Sequence, residues 1–403
     1  MPLFPHVASD TRDPAQTVAL LVARFFVSDW PNKEGCRSPS WRYDNQSMTP
    51  SPSVSPSMPE LKRQINQWAR DLGFQSTGVS DTALSKVEEH LFEWLRRGYH
   101  GSMQYMERHG PLRARPASLV PGTIRIISVR MDYRPESTDA ALAAINASQT
   151  GYIARYAVGR DYHRLIRRRL QRLADHITEA VGPFRYRAFT DSAPVMEKPL
   201  AANAGLGWIG KHTNLINTRA GSFFFLGELY TDLPLPLDSA VEDHCGDCTR
   251  CLDACPTAAI VAPYQLDARR CIAYLTIELK GSIPVEFRHL IGNRIFGCDD
   301  CQLVCPWNRF SPSTEEVGFT FKPEFVSPML VGLLHWDSDQ FERLTAGTAL
   351  RRINHEQWLR NVAVALGNGP ATLEAISALK ARVDHPSAMV REHIEWALAR
   401  LDS

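Results

Sequence analysis

From residue 60 onward the chain alternates between two hydrophobic periods. Leu61, Ile65, Trp68 and Leu72 recur at three- and four-residue intervals, and so do Leu84, Val87, Leu91, Trp94 and Leu95; each stripe predicts an amphipathic helix. Residues 123–133 (TIRIISVRMDY) are β-branched and alternating, bounded by Pro121-Gly122 and Pro135, and predict a strand. A helix over 162–181, a strand over 184–189 (FRYRAF), a helix near 195–204, a strand near 213–217 and an aromatic strand over 222–229 (SFFFLGEL) follow. Mixed alternation of this kind predicts a layered α/β or α+β domain, here assigned to residues 58–236. Residues 358–366 (WLRNVAVAL) and 389–398 (MVREHIEWAL) predict two further amphipathic helices.

Three regions depart from that pattern. The stretch 47–59 (SMTPSPSVSPSMP) alternates Ser and Pro and has almost nothing to pack, so residues 1–57 are read as linker, disorder or a mis-assigned extension ahead of Met48 or Met58. Residues 237–312 hold the cysteines. Residues 313–403 carry the last two helices, with Arg360 and Arg391 in equivalent places and breaks at 367–370 and His385-Pro386, a pattern similar to a short HEAT-type helical repeat.

Composition narrows the function classes. The chain has 403 residues, 44% apolar and 22% charged, enough for a sizeable core without disulfides. Its 45 Lys+Arg and 44 Asp+Glu leave a net charge of +1, so an anionic partner needs a local patch. Residues 17–27 are too short for a membrane span, carry Arg24, and lack a basic leader or cleavage site. The expectation is a cytoplasmic, monomeric protein with no membrane partner.

Of nine cysteines, Cys36 stands alone and eight lie between 245 and 305. Cys245-x2-Cys248-x2-Cys251-x3-Cys255-Pro256 and Cys298-x2-Cys301-x3-Cys305-Pro306 have the spacing of bacterial two-cluster ferredoxins. Two-residue gaps let one loop aim three thiolates at a cubane, and the fourth Cys, a helical turn on, faces the other cubane. Zinc ribbons also use C-x2-C pairs, but do not need the third Cys and the Cys-Pro repeated twice. The second run lacks its first Cys; Ile295 occupies that place and Cys271 can supply the thiolate. Crossover then gives one [4Fe-4S] set of Cys245, Cys248, Cys251 and Cys305, and a second of Cys255, Cys271, Cys298 and Cys301. Two clusters a short hop apart make an electron wire, which requires an external low-potential donor.

Gly205-Leu206-Gly207-Trp208-Ile209-Gly210 fits a dinucleotide fingerprint, but a helix precedes it and a strand follows, the reverse of what such a site needs. Asp191 within FTDSAPVMEKPLAANAGLGWIGKHTNLIN, then GSFFFLGEL, CGDCTRCLDACPTAAI, CIAYLTIELKG and IGNRIFGCDDCQLVCPWN, resembles the epoxyqueuosine reductases over residues 58–403. The resemblance implies a reductive-dehalogenase-like cobalamin domain, a two-cluster ferredoxin-like domain and a short HEAT-like C-terminus. It implies reduction of epoxyqueuosine to queuosine in tRNA, the last step of queuosine biosynthesis. Reductive dehalogenation and a non-enzymatic electron-transfer module are the rival readings.

The same resemblance implies that Asp191 is the proton donor. A carboxyl facing a corrin and shielded from water is expected to stay protonated near neutrality; an N-cap role is the plainer alternative. Arg113, Ala154, Tyr156, Asp191, Lys211, Thr213, Leu215, Ser222 and Leu226 are implied as cobalamin contacts. Asp161-Tyr162-His163 begins the D-x-H-x-x-G motif of a cobalt-ligating histidine, but Ile166 stands where Gly is required. Base-off cobalamin with no histidine ligand is therefore expected. Arg160, Arg164, Arg167, Arg168, Arg169 and Arg172 crowd one predicted helix, a local basic patch able to follow tRNA phosphates. Arg351, Arg352 and Arg360 are candidates for a second basic surface.

Overall fold

Helix α1 (Met58–Asp71) begins where the Ser57 side chain accepts the Glu60 N–H and Pro59 fills the first turn. In this computed structural model residues 56–402 are described, so the reading of Cys36 and of nearly all of 1–57 lies outside the described residues. Strand β1 (Ser76–Ser80) follows; its sequence, STGVS, is too short and polar to announce itself. Then come α2 (Ser85–Arg96), β2 (Arg125–Asp132), α3 (Tyr162–Val181), β3 (Tyr186–Phe189), α4 (Glu197–Asn203) and β4 (Phe224–Thr231). The strand expected near 213–217 is only Leu215–Ile216, paired with Trp208–Ile209 as a small hairpin.

The four long strands order as β1-β2-β4-β3, and every neighbouring pair is antiparallel. This is the α+β form of the expected class. One sheet face is apolar: Val79, Ile127, Val129 and Leu229 pack with Ile166, Leu170, Leu173 and Ile177 of α3 and with Leu61 and Ile65 of α1. Each such buried side chain contributes about 1.5–3 kcal/mol, which fixes α3 on the sheet. The opposite face carries Ser128, Arg130, Asp132 and Glu228, all buried, beneath α4. A polar inner face points to a site rather than a core.

Gly207 explains the fingerprint-like glycines without a nucleotide. Its φ is +157°, and a Cβ there would lie 2.0 Å from the Ile216 carbonyl oxygen. Gly205-x-Gly207 therefore serves close packing of the hairpin.

Helices α5 (His355–Gly367), α6 (Leu373–Lys380) and α7 (Ala388–Leu401) close the fold at the C-terminus. An Asn354–Gln357 capping box starts α5. The sequence treats Arg360 and Arg391 as equivalent and Arg360 as a surface cation; Arg360 is instead fully buried. Its guanidinium donates to the carbonyls of Leu275, Leu279 and Gly281, tying α5 to the segment after Cys271. Helix α5 is buried on every side, so its periodicity marks no solvent face. Among the described residues, no helix is long and apolar enough to cross a membrane.

Candidate active site and cysteine centres

The eight described cysteines fall into two sets. Cys245, Cys248, Cys251 and Cys305 line one cavity of about 220 Å³, with Lys211 and Trp307. Burial raises the Cys251 thiol to about 11, and the fields of Cys305, Cys245 and Cys248 add to it. The second set is inward. Burial raises Cys301, with Cys271 and Cys255 beside it, and Cys298 likewise feels Asp300, Cys271 and Cys301. Cys251 also reaches Cys301, so the two sets are neighbours. No three His, Cys, Asp or Glu side chains among the described residues converge as a single-ion site. Four cysteines around one cavity fit the ligand set of a [4Fe-4S] cubane.

Several residues implied as cofactor contacts stitch the cysteine segment to the sheet. Lys211 Nζ donates to the carbonyls of Gly246 (2.5 Å) and Cys248 (3.0 Å). The Ser222 N–H donates to Asn308 Oδ1 (2.6 Å), and its Oγ accepts from Gln302 and Asn308 (3.0 Å each). Gly221, at φ +64°, permits this, because a Cβ there would meet Asn308 Oδ1 at 2.0 Å. Ala154 is buried and its N–H donates to Phe296 O (2.8 Å). Leu215 and Leu226 share a small apolar cluster, and Thr213 adopts a left-handed φ of +67°.

Asp191 leaves β3 in a tight turn. Its φ is +49°, and the Ser192 N–H donates back to Thr190 O at 2.5 Å. Its carboxylate meets the start of α3: Tyr162 Oη donates to Oδ2 (2.5 Å), and His163 Nε2 lies 3.5 Å from the same oxygen. Asp161 caps α3 by accepting the His163 N–H (3.0 Å) and also binds His163 Nδ1 (2.6 Å). The helix cap thus orients the imidazole. Tyr162 is held by stacking on Phe225, centroids 3.8 Å apart.

The electrostatics overturn one expectation. Burial alone would raise the Asp191 carboxyl, but hydrogen bonds from His163 and Tyr162 and the fields of His163 and Arg352 outweigh it and hold the carboxyl low. Burial likewise opposes charge on His163, but Asp161 and Asp191 raise it to about 9. Near neutrality the proton resides on His163, and Asp191 is ionised. The expectation of a protonated Asp191 counted burial and missed the cation beside it.

The Asp191 side chain is 56% exposed, and the fields of Asp191, Cys301 and Cys271 all act on Lys198, so the acid and the inner cysteine set both lie near that lysine. Arg113 is buried within reach of the Asp191 field, over the Tyr105 ring and donating to Tyr105 O (3.1 Å), with its Nε unpartnered. Tyr156 lies beside Tyr162, and the field of Asp191 reaches it. Arg352 pairs with Glu278 (2.9 Å) and also faces Tyr105 and Asp191. Tyr105, Glu197 and Glu278 carry no local sequence signal as site residues, whereas Tyr162 and His163 lie in the Asp-x-His start, which reads as a cobalt-ligand motif.

Helix α3 presents Arg164, Arg167, Arg168 and Arg172 to solvent. Arg160 is exposed but precedes the helix, and Arg169 is half-buried in an ion pair with Glu316. Arg167 Nη2 donates to Ser192 Oγ (2.8 Å), joining the basic face to the Asp191 turn.

Residues 244–308 match the family described as 4Fe-4S double cluster binding domain, which defines the class: a two-cluster iron–sulfur protein. Residues 113–192 match the family Epoxyqueuosine reductase QueG, DUF1730. The epoxyqueuosine reductase of Pseudomonas aeruginosa is 56% identical over 358 residues, covering 88% of this chain and 99% of that protein. That of Escherichia coli is 52% identical over 342 residues, covering 85% and 89%. The chain belongs to the epoxyqueuosine reductase family, and it is a reductase. A solved epoxyqueuosine reductase carrying an epoxyqueuosine-modified tRNA-Tyr stem loop superposes with a TM-score of 0.78 at 29% identity, over 86% of this chain and 92% of that one. The Bacillus subtilis enzyme, with its catalytic aspartate loop swung out of the active site, gives 0.76 at 28% identity, over 86% and 91%.

Proposed function

We propose that this chain reduces epoxyqueuosine in tRNA to queuosine, with cobalamin between Asp191 and the inner cysteine set. The observation that carries this reading is what meets around Lys198: Asp191, paired with a charged His163, on one side, and thiolates able to hold an electron-transfer centre on the other. Removing the epoxide oxygen as water takes two electrons and two protons. Cobalamin, when bound, supplies the reducing centre, and the two clusters connect it to an external low-potential donor. The grouping of the cysteines supports the crossover assignment, Cys245, Cys248, Cys251 and Cys305 against Cys255, Cys271, Cys298 and Cys301. Regions 58–236, 237–312 and 313–403 are assigned to cofactor binding, electron transfer and the helical closure.

The protein's own part is positioning and proton delivery. Asp191 is assigned to the departing oxygen: ionised at rest, it takes the proton of the His163 imidazolium and passes it on, and the second proton comes from solvent through reprotonated His163, a route consistent with general acid catalysis. Asp161 keeps the imidazole aligned. Both His163 nitrogens are engaged by carboxylates, which supports base-off cobalamin without a histidine ligand. Arg113, Tyr156 and Leu226 remain candidate cofactor contacts; Lys211 and Ser222 are candidates to hold the neighbouring cluster loop. Arg160, Arg164, Arg167 and Arg168 are assigned to tRNA phosphates, with sequence reading confined to the anticodon loop, where bases can leave the stack. The Arg167–Ser192 bond ties the basic face to the Asp191 turn, so that phosphate binding at Arg167 would bear on that turn.

Anaerobic purification with metal analysis and turnover of an epoxyqueuosine stem loop tests the reading. About eight iron and one cobalt per chain are expected, with product formation. Clusters without a corrinoid and without turnover would leave only an electron-transfer module.

A further inference from the structure

Behind the Asp191 turn stands a carboxyl pair that proton delivery as outlined does not use. Glu197, the first residue of α4, accepts the Asp191 backbone N–H at 2.5 Å. Glu228 projects from β4 opposite Ser128 of β2 and Phe189 of β3. It is fully buried, no N–H or hydroxyl donates to either oxygen, and its side-chain partner is the Glu197 carboxyl. Its charged neighbours are Glu197 and Asp191, both anionic when ionised. A buried carboxylate with no cation or donor is strongly disfavoured, and adjacent carboxylates resist double ionisation. Glu228 therefore retains its proton, which leaves Glu197 as the member of the pair free to carry charge.

The turn needs restraint. An L-residue at φ +49°, closed by a bond two residues apart, is strained. Tyr162 and His163 hold the Asp191 side chain; Glu197 alone holds its backbone N–H. We propose that Glu197 is a positioning residue for the reaction: its carboxylate, backed by the neutral Glu228, clamps the Asp191 turn with the side chain held toward Tyr162 and His163, and protonation of Glu197 loosens it. The inference rests on the reading of Asp191 as the acid.

The groups facing Glu197 are Asp191 from the turn, Glu228 and Tyr230 from β4, Tyr162 and His163 from α3, and Lys198 beside it on α4. Burial and then the Asp191 charge raise Glu197; the Asp191 N–H, Glu228 and His163 oppose them, and the balance is about 7. The clamp is ionised above that pH and weakened below it, inside the working range of an enzyme. A first-turn glutamate that merely favours the helix N-terminus would show no such switch.

The test uses holoenzyme at pH 6 to 8.5, with two readouts on wild type, Glu197→Gln and Glu228→Gln. One is single-turnover reduction of the stem loop; the other is amide hydrogen exchange of the peptide spanning 189–196, corrected for intrinsic rate. In wild type, turnover and protection should both fall as pH drops through about 7. Glu197→Gln should flatten both profiles and lower turnover at pH 8 by about tenfold, the size expected when one charged hydrogen bond becomes neutral. Glu228→Gln, neutral like the residue it replaces, should keep the acid limb. Protection in wild type that does not change between pH 6 and 8 overturns the proposal, even if Glu197→Gln fails to fold. So does a Glu197→Gln enzyme with the wild-type acid limb. Exchange reports the clamp whatever Asp191 does chemically, so loss of Asp191's role and loss of the clamp are told apart.

Discussion

Replacing His163 by Gln keeps a polar side chain at the start of α3 and removes the imidazolium. In the wild type, the folded protein holds this group at about 9, against about 6.5 for a free histidine. At 1.36 kcal/mol per pH unit, that difference corresponds to about 3 kcal/mol of folding stability. The imidazole is 27% exposed and shares its proton with Asp191, so about 2 kcal/mol is a fair working figure after solvent screening. The sign follows from linkage. The raised folded pKa means that this stabilisation is complete below about 6.5, declines as pH rises, and is gone above about 9. Urea unfolding of wild type and variant should therefore give a stability gap of about 2 kcal/mol at pH 6 that closes by pH 9.5. The Asp191 carboxyl, having lost its main cation, should move upward, and turnover of the variant should fall at alkaline pH. A stability gap constant from pH 6 to 9.5 would refute the picture of a charged His163 bound between two carboxylates.

Three further outcomes are expected. Asp191→Asn should fold, since Asn tolerates the left-handed φ at this position, and should keep iron and corrinoid while turnover falls by roughly 10²–10⁴; unchanged turnover with intact cofactors would remove Asp191 from the chemistry. Cys271→Ala should lose about half of the iron, as expected for one of two cubanes, with the cavity around Cys251 still loaded; full iron content would undo the crossover assignment. Charge reversal at Arg167 and Arg168 should weaken tRNA binding and reduce the dependence of log affinity on log salt by roughly one per lost phosphate contact; an unaltered slope would make α3 a solvated face only.

What the sequence discloses depends on how local the determinant is. The cysteine spacings are legible because a loop of seven residues already fixes three thiolates, and the crossover partner is a helical turn away. Strands β2 and β4 are legible because their β-branched and aromatic runs are bounded by turn residues. Arg360 is misread because helical periodicity locates a solvent face only when the helix has one. Helix α5 is covered on all sides, and its arginine is an internal tie between helix and cluster segment. The antiparallel order of the sheet is equally hidden, since alternation of helix and strand fixes the layers but not the direction of their strands.

The site fails to be legible for a different reason. Asp191 is 28 residues from His163, and nothing local connects them; the sheet does so by returning β3 alongside β4 while α3 lies across the opposite face. That geometry converts an acid expected to be neutral into half of an ion pair, with the proton moved to the imidazole. One local signal did exist. Glu228 is the single charge within SFFFLGEL, a strand buried along its length, and an unpaired carboxylate there is too costly to persist without a neutral form. A charge embedded in an aromatic strand therefore marks the polar face of the sheet from sequence alone. It also connects the two ends of the molecule's chemistry: the face that carries Glu228 is the one α4 covers, and α4 carries both Glu197 on the Asp191 turn and Lys198 toward the inner cysteines. Consecutive residues of one short helix thus hold the Asp191 turn and, through Lys198, the Thr213–Asn214 segment within the field of the inner cysteines.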